Sequence, residues 1–489
     1  MFQGTSSNAG KSLLTAALCR VLYQDGIRVA PFKSQNMSLN SFVTSRGEEM
    51  ARAQVVQAQA CRLEPDIRMS PILLKSVSDV GSQVILNGRP LGNMDVMAYD
   101  DYKEIALKEV KRAYDSLSSE YDVMVIEGAG SPGEVNLKHN DIVNMRIAQY
   151  AQAPVLVVGD IDRGGVFASF VGTMEVLDQW ERDLVSGFIV NKFRGDPSLL
   201  QPAFDYVRDH TGIDVIGTID YIHKHGLPEE DSVSFKEGLY SINANVDTKD
   251  GVRIAVIDLP YISNFTDFDA LILEDDVQLQ IVALEDTLPD VDLVIIPGSK
   301  STLNDMRCLS TSGMADQIRS FIAGDNKELI GICAGFQMLG KQISNPVAVE
   351  GTQSNVDGLN LLDIRTEMAE EKVLQQTSLV YGDRSVNVTA YEIHHGKTTV
   401  GSGKIIFQRD SDLLGVESDD GRIWGSYLHG LFDSDSFRHL IIDRIRERKG
   451  LLTFQGKRAV YDLDKSFDRI ADVFRESVDM EKIYQLLNL

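Results

Sequence analysis

The sequence predicts an α/β protein of at least two domains, each built around a largely parallel sheet. At 489 residues the chain is too long for a single hydrophobic core. Short β-branched runs alternate with helical patterns between residues 28 and 219, which is typical of parallel α/β folds. A second series of the same kind begins at Arg253, after a stretch in which the pattern weakens.

In the first half, five apolar runs bounded by Gly, Pro or Asp predict strands. They are Arg28–Phe32, Asp122–Ile126, Pro154–Val158, Gly187–Val190 and Val215–Ile219. The segments between them have helical periodicity. The expected helices are Lys11–Gln24, Gly47–Cys61, Tyr102–Ser118 and Pro202–Thr211.

In the second half, three apolar runs predict strands, and two later segments predict helices. The strands are Arg253–Leu259, Asp292–Pro297 and Glu328–Ile332, and the helical segments are Phe437–Arg448 and the tail Leu463–Leu489. We therefore divide the chain into a first domain at 1–225, a linker at 226–250, a second domain at 251–440 and a C-terminal helical tail at 441–489.

Composition excludes several classes of protein. The net charge of −24 argues against a nucleic-acid-binding protein, because such proteins usually have a basic face. No run approaches the roughly 18 apolar residues of a membrane span, so no membrane partner is expected. The four cysteines lie far apart and form no paired metal spacing, which favours a reducing, cytoplasmic location.

The segment Gly4–Ser12, Gly-Thr-Ser-Ser-Asn-Ala-Gly-Lys-Ser, predicts a phosphate-binding loop. Gly10 allows the backbone to approach phosphate oxygens, Lys11 supplies a cation for the β- and γ-phosphates, and Ser12 offers a hydroxyl to Mg²⁺. The pattern therefore predicts ATP and Mg²⁺ as cofactors. Five residues rather than the usual four separate the two glycines. Only Met1–Gln3 precede the loop, so either the first strand is a stub or the chain begins late.

Polar residues follow several of the predicted strands, at the sheet edge where ligands bind in parallel α/β folds. Glu127 follows the strand Asp122–Ile126 and is the main candidate for a second Mg²⁺ ligand. Lys33 could bind a carboxylate or the transferred phosphoryl group, and Asn191 could contact the nucleotide base. Three further acids could hold metal or face water, namely Asp141, Asp160 and Asp162.

The segment Gly331–Gly335, Gly-Ile-Cys-Ala-Gly, predicts a sharp turn between a strand and a helix that exposes Cys333. A helix N-terminus favours the thiolate form of a cysteine, and a nearby base would activate it further. His429, in Tyr-Leu-His-Gly, is the candidate for that base. The backbone N–H groups of Pro297-Gly298-Ser299 could form an oxyanion hole. Such a site could attack an amide.

Five longer motifs together resemble one family, the cobyric acid synthases, which are glutamine-hydrolysing amidotransferases of cobalamin biosynthesis. The resemblance runs essentially end to end. The motifs are Gln3–Ser12 (QGTSSNAGKS), Phe32–Asn40 (FKSQNMSLN), Asp160–Phe167 (DIDRGGVF), Tyr391–Gly396 (YEIHHG) and Gly425–Phe432 (GSYLHGLF).

The resemblance implies a dethiobiotin-synthetase-type P-loop domain followed by a class I glutamine amidotransferase domain. It implies that Cys333 is the nucleophile and His429 its partner. It also implies ATP-dependent amidation of the b, d, e and g carboxylates of adenosylcobyrinic acid a,c-diamide, with glutamine as the nitrogen source. The wider amidotransferase class usually has an acid two residues after the histidine, where this chain has Leu431. Either a Cys–His dyad suffices or another acid orients His429, and Glu392 is the candidate.

Two other functions are consistent with parts of the sequence. Cobyrinic acid a,c-diamide synthase performs the same two reactions on other carboxylates, but the motifs at Lys33–Asn40 and Tyr391–Gly396 favour cobyric acid synthase. A non-catalytic P-loop ATPase switch would have no use for a nucleophile, yet Cys333 and His429 are both present. The sequence makes no prediction of the oligomeric state or the order of the amidations.

Overall fold

In the computed structural model of the chain, the described residues are 1–78, 81–222, 225–228, 230, 250–351, 354–382 and 386–489. They form two compact units. The first contains Met1–Ser38, Met50–Glu230 and Asp462–Leu489, and the second contains Leu39–Glu49 and Asp231–Tyr461. Of the predicted linker 226–250, all but 226–228, 230 and 250 lie outside the described residues.

The first unit has a central sheet of six parallel strands. Their order across the sheet is Val29–Phe32, Val123–Ile126, Phe2–Gly4, Val155–Asp160, Val185–Phe193 and Val215–Asp220. A parallel bridge between Phe2 and Glu127 joins the second strand of this order to the third. The five strands predicted in this half are confirmed with shifted ends, and Phe2–Gly4 adds a short strand before the phosphate loop.

Helices flank this sheet, and a smaller sheet lies beside it. The helices are Lys11–Gln24, Arg52–Ala60, Val96–Ser118, Met145–Tyr150, Val166–Val176, Gln179–Arg182 and Gln201–Thr211. The smaller sheet contains Gln35–Met37, Ile72–Ser78, Gly81–Leu86 and Arg89–Asp95. Among the described residues, no helix has the length and apolar content needed to cross a membrane.

Two predicted helix starts in this half are wrong, for local reasons. The helix predicted from Gly47 begins at Arg52, because Glu49–Ala51 pair as a strand with Ser41–Val43. Gly47, with a φ of 73°, closes the turn between those strands instead of starting a helix. The helix predicted from Tyr102 begins at Val96, where the Asp95 side chain accepts from the Ala98 amide at 2.8 Å and caps it.

The C-terminal tail divides at a point that the sequence did not predict. The helix Asp435–Arg448 spans the expected boundary at residue 440 and belongs to the second unit, whereas Leu463–Ser477 and Met480–Leu487 belong to the first. The apolar face of Leu463–Ser477 joins the core around the helix Lys11–Gln24. The helix Leu463–Ser477 thereby covers one side of the helix Lys11–Gln24, which follows the phosphate loop.

The second unit contains a seven-stranded sheet. Its order is Val277–Ala283, Val252–Asp258, Leu293–Ile296, Glu328–Ile332, Ile423–Ser426, Asp412–Glu417 and Lys404–Arg409, with the first five parallel. The three strands predicted here are confirmed. Helices at Asp269–Ile272, Thr302–Thr311, Met314–Ile322, Ala334–Met338 and Asp435–Arg448 accompany it.

A second sheet of five strands completes this unit. It contains Asn355–Asp357, Gln342–Ser344, Ile364–Tyr381, Val386–Val400 and Leu428–His429, in that order. The pairing of Val386–Val400 with Leu428–His429 sets Tyr391 opposite His429. The last short strand therefore carries the predicted catalytic histidine next to the Tyr391–Gly396 motif.

Candidate functional site

Cys333 occupies a tight turn between the strand Glu328–Ile332 and the helix Ala334–Met338. Its φ of 51° and ψ of −103° are unfavourable for a residue with a side chain. A Cβ on Gly331 would lie 2.5 Å from the Gly335 carbonyl oxygen, and one on Gly335 would lie 2.0 Å from the Ile296 carbonyl oxygen. Both glycines are therefore needed for the turn that presents the thiol.

His429 is held by a carboxylate. Its Nδ1 lies 2.7 Å from Asp267 Oδ2, and the Gly430 amide donates to Asp267 Oδ1 at 2.9 Å. The imidazole also interacts with the Cys333 thiol. Burial alone would lower the pKa of His429, but the charges of Asp267 and Cys333 raise it to about 10. The three side chains form a buried Cys–His–Asp arrangement, in which an imidazolium can face a thiolate.

The suggestion that Glu392 orients His429 is wrong. Successive residues of a strand point to opposite faces, and it is Tyr391 that pairs with His429 in the sheet and stacks on its ring at 5.5 Å. Glu392 instead contacts His394 Nε2 at 3.1 Å and pairs with Arg409. Asp267 was missed because it belongs to no recognisable motif. The available signal was an acid in the loop after the strand Val252–Asp258.

Gly298, the centre of the predicted oxyanion hole, lies beside His429 of the predicted catalytic pair. A Cβ on Gly298 would come within 3.1 Å of His429 Cε1 and 3.3 Å of the Ser263 carbonyl oxygen. The preceding Pro297 accepts a hydrogen bond from the Gly335 amide at 3.1 Å. The structure thus brings this loop to the Cys333 turn, and its role in binding an oxyanion stays a prediction.

In the first unit, the conformation of the phosphate loop is held by hydrogen bonds from Asn191 and Lys11 to backbone carbonyls. Gly10 has a φ of 100°, and a Cβ there would lie 2.0 Å from Asn191 Nδ2. Asn191 Nδ2 donates to the Ala9 carbonyl at 2.8 Å. Lys11 Nζ donates to the carbonyl oxygens of Ser6 and Gly130 at 3.0 and 3.1 Å. Asn191 therefore shapes the loop, and contact with a nucleotide base stays a prediction.

Ser12 and Lys33 meet two carboxylates beside this loop. Ser12 Oγ lies within hydrogen-bond distance of two carboxylate oxygens, 2.9 Å from Glu127 Oε1 and 2.7 Å from Glu230 Oε2. Lys33 Nζ lies 2.8 Å from an oxygen of each acid. Burial would lower the pKa of Lys33, but the charges of Glu127 and Glu230 raise it. Burial likewise opposes ionisation of Glu230, yet Lys33 lowers its pKa, so both groups are charged.

Glu230 is the second residue that sequence reasoning missed. It stands in the acidic stretch Glu229–Asp231, where a carboxylate is usually solvated. Only the fold brings it to Ser12, 218 residues earlier in the chain.

The donors beside the loop fit Mg²⁺, which prefers hard oxygen ligands. Ser12 and Glu127, the two predicted ligands, adjoin each other, and Glu230 adds a second carboxylate. The other candidate acids have different contacts. Asp160 pairs with Lys192, Asp162 with Arg194, and Asp141 accepts from the backbone amides of Val143, Asn144 and Arg146. In the described parts of the chain, no three His, Cys, Asp or Glu residues group as metal ligands.

Comparison with known proteins identifies a family domain in each half of the chain. Residues 1–231 match the model of the CobQ/CobB/MinD/ParA nucleotide binding domain, and residues 253–437 match the CobB/CobQ-like glutamine amidotransferase domain. A cobyric acid synthase of Nitratidesulfovibrio vulgaris is 50% identical, with 100% of this chain and 97% of that protein covered. The chain belongs to the cobyric acid synthase family.

Two further relatives support this placement. A cobyric acid synthase of Carboxydothermus hydrogenoformans is 47% identical, covering 100% of this chain and 99% of that protein. The adenosylcobalamin biosynthesis bifunctional protein CobDQ of Leptospira interrogans is 49% identical and covers 100% of this chain, which spans 57% of that longer protein.

Membership in the cobyric acid synthase family confirms the resemblance inferred from the five motifs. The two domain matches confirm the predicted order of a P-loop nucleotide-binding domain followed by a glutamine amidotransferase domain. The full-length match to synthases decides against a non-catalytic P-loop switch and makes the chain an enzyme.

Proposed function

We propose that this member of the cobyric acid synthase family uses ATP and glutamine to amidate the b, d, e and g carboxylates of adenosylcobyrinic acid a,c-diamide, giving adenosylcobyric acid. The observation that carries the proposal is the buried Cys333–His429–Asp267 arrangement, on a chain whose other unit has a phosphate loop. One site would release ammonia, and the other would activate the carboxylate that receives it.

Glutamine hydrolysis begins with attack of the Cys333 thiolate on the side-chain amide carbon. His429, protonated through its contact with Asp267, donates a proton to the departing nitrogen, so ammonia leaves as a thioester forms. Water, deprotonated by the now neutral His429, then attacks the thioester and releases glutamate and the thiolate. Backbone N–H groups near Gly298 would stabilise the negative oxygen formed in each step.

A carboxylate is a poor electrophile, and phosphorylation turns one of its oxygens into a good leaving group. The corrinoid carboxylate would attack the γ-phosphorus of ATP, giving an acyl phosphate and ADP, and ammonia would then displace phosphate to form the amide. Lys11 and Lys33 are the cations suited to stabilise charge on the transferred phosphoryl group. Ser12 and Glu127 would hold Mg²⁺, which would supply positive charge to neutralise the nucleotide phosphates.

The test is incubation of the purified enzyme with the corrinoid, ATP, Mg²⁺ and glutamine, followed by mass spectrometry. Conversion of one carboxylic acid to its primary amide lowers the mass by ~1 Da, so four amidations lower it by ~4 Da, with ADP and glutamate formed in step. Cobyrinic acid, which also carries free a and c carboxylates, serves as the comparison substrate. Amidation confined to the a and c positions would make the enzyme a cobyrinic acid a,c-diamide synthase and contradict the proposal.

A further inference from the structure

Three segments of the first unit are joined to one another beside the phosphate site. They are residues 34–37, 95–100 and 135–142. The first directly follows Lys33, which pairs with Glu127. The second contains the start of the helix Val96–Ser118, and the third contains the short 3₁₀ helix Val135–Asn140.

A hydrogen bond joins each pair of these segments. The bonds run from Ser34 Oγ to the Ile142 carbonyl at 2.7 Å, from Asn140 Nδ2 to Asp100 Oδ2, and from the Tyr99 hydroxyl to Gln35 Oε1. The three segments therefore form one continuous surface, which starts at the residue after Lys33.

Each of the three segments exposes large apolar side chains. Five of these side chains are between 54% and 73% exposed, namely Met37, Val96, Met97, Val135 and Leu137. We call these five residues the apolar rim. A single exposed apolar residue is normal on a protein surface, but a group of them on adjoining segments is typical of a binding surface.

The stability of the local structure does not explain the apolar rim. The helix Val96–Ser118 packs on the unit through a buried face that includes Tyr99, Leu107 and Val110, whereas Val96 and Met97 are exposed in its first turn. The first turn of a helix favours acidic side chains, and valine is a weaker helix former than most residues. These two residues therefore contribute little to the helix that carries them, which favours a role in binding.

The substrate in the proposed function has the chemistry that such a surface would bind. A corrin macrocycle is a broad ring system whose two faces are largely apolar, and its carboxylates stand on arms around its edge. Met37 is four residues after Lys33, so their Cα atoms are at most ~14 Å apart. A ring lying on Met37 could span that distance with one of its arms.

We propose that the apolar rim binds one face of the corrin macrocycle and thereby presents the carboxylates at the edge of the ring to Lys33 and Glu127. The inference rests on the proposed function. Contacts with the ring face do not depend on which arm points at Lys33, so one surface would serve all four amidations. Methionine suits this task, because its flexible side chain can repack against different orientations of a ligand.

The test replaces two residues of the rim together, Met97→Ser with Leu137→Ser. The KM for the corrinoid should rise by about tenfold or more, because two apolar side chains no longer lose contact with water on binding. The kcat at saturating corrinoid and the KM for ATP should stay at the wild-type values. Equilibrium dialysis should show a similar loss of affinity for adenosylcobyric acid, which keeps the ring but has amides in place of the four carboxylates.

Leu199→Ser is the matched control, because Leu199 is 77% exposed in the same unit but lies outside the three segments. It should keep the wild-type KM and the wild-type affinity for adenosylcobyric acid. Melting temperatures verify the fold of each variant. If the first double variant does not fold, Val96→Ser with Val135→Ser repeats the test on the same two segments.

Two outcomes would overturn the inference and leave the proposed function standing. One is a folded rim variant that keeps the wild-type KM for the corrinoid and the wild-type affinity for adenosylcobyric acid. The other is a rim variant that loses self-association in sedimentation velocity while its corrinoid KM stays unchanged, which would assign the rim to a contact between two copies of the chain. A wild-type enzyme that amidates no corrinoid with glutamine or ammonium chloride would instead contradict the proposed function, and this inference with it.

Discussion

At Cys333 the proposed reactive groups are paired with one another, whereas at the phosphate loop the two lysines are paired with carbonyl oxygens and with carboxylates. His429 lies between Asp267 and Cys333, and all three are almost fully buried. Lys11 is held by two carbonyl oxygens, and Lys33 is held by two carboxylates. The proposed glutaminase centre thus already has the contacts that its proposed reaction uses. To bind phosphate as proposed, Lys11 and Lys33 must exchange these contacts for phosphate oxygens.

This difference has a physical basis. An ion pair between catalytic groups keeps its geometry when an uncharged substrate such as the glutamine amide arrives, so it can be built in advance. A site that binds both a polyanion and a metal needs lysines as well as carboxylates. In the protein these opposite charges form ion pairs with one another. The two centres should therefore respond differently to substitution, and the following predictions test that expectation.

The largest effect is expected from removing the nucleophile. Cys333→Ala should lower glutamine-dependent amidation by at least ~10³-fold while leaving ammonia-dependent amidation unchanged, because the thiolate only releases ammonia. The assay measures amidated corrinoid with glutamine and then with high ammonium chloride. Cys308→Ala, at a half-buried cysteine outside the site, is the control. Equal loss with both nitrogen sources would show that the two centres do not divide the reaction as proposed.

Lys11→Ala should produce the complementary result. Amidation with either nitrogen source should fall by roughly 10³-fold, since positioning and electrostatics provide most of the catalysis in phosphoryl transfer. Glutamate release in the absence of ATP should persist, because the Cys333 centre uses none of these contacts. Lys465→Ala, at a side chain that is 80% exposed, should behave as wild type. Near wild-type turnover of Lys11→Ala at saturating ATP would contradict this role.

Asp267→Asn tests whether the carboxylate tunes His429. The reactive form has a protonated His429, so activity should be lost as the pH rises through its pKa of about 10. Asparagine removes the charge that raises this pKa, so the alkaline limb of glutamine hydrolysis should move to lower pH, and the rate should fall by about 10²-fold. Glu392→Gln is the matched control and should leave the limb in place. An unchanged pH profile in Asp267→Asn would show that Asp267 does not set the pKa of His429 during glutamine hydrolysis.

Sequence reasoning singled out Cys333, His429 and the phosphate loop as candidates because each stands in a recognisable local sequence pattern. A glycine two residues on either side of a cysteine, or a Gly-Lys-Ser at a helix start, can be read without the fold. The strands were predicted for the same reason, since short β-branched runs between turn residues are local patterns.

The supporting acids, and the hairpin formed by Ser41–Val43 and Glu49–Ala51, could not be predicted in this way. Asp267 is 162 residues from His429, and Glu230 is 218 residues from Ser12. Contacts at such separations depend on how the sheets are ordered, and no motif surrounds either acid. Of the hairpin formed by Ser41–Val43 and Glu49–Ala51, only the part from Gly47 onward was predicted, as the start of a helix, and strand pairing overrides that preference. These features depend on tertiary structure, so the structure was needed to find them.

The smallest effect is expected at Glu127, because other oxygen donors beside it could also bind the metal. Glu127→Gln should raise the Mg²⁺ concentration needed for half-maximal amidation by about tenfold and lower turnover moderately, because Ser12 and Glu230 remain as oxygen donors. Glutamine hydrolysis without ATP should not change. Asp141→Asn, at an acid that accepts from backbone amides, is the control and should titrate like wild type. If Glu127→Gln also leaves the Mg²⁺ titration unchanged, then Glu127 serves only to hold Lys33 and Gln57, and Glu230 becomes the carboxylate to test as the metal ligand.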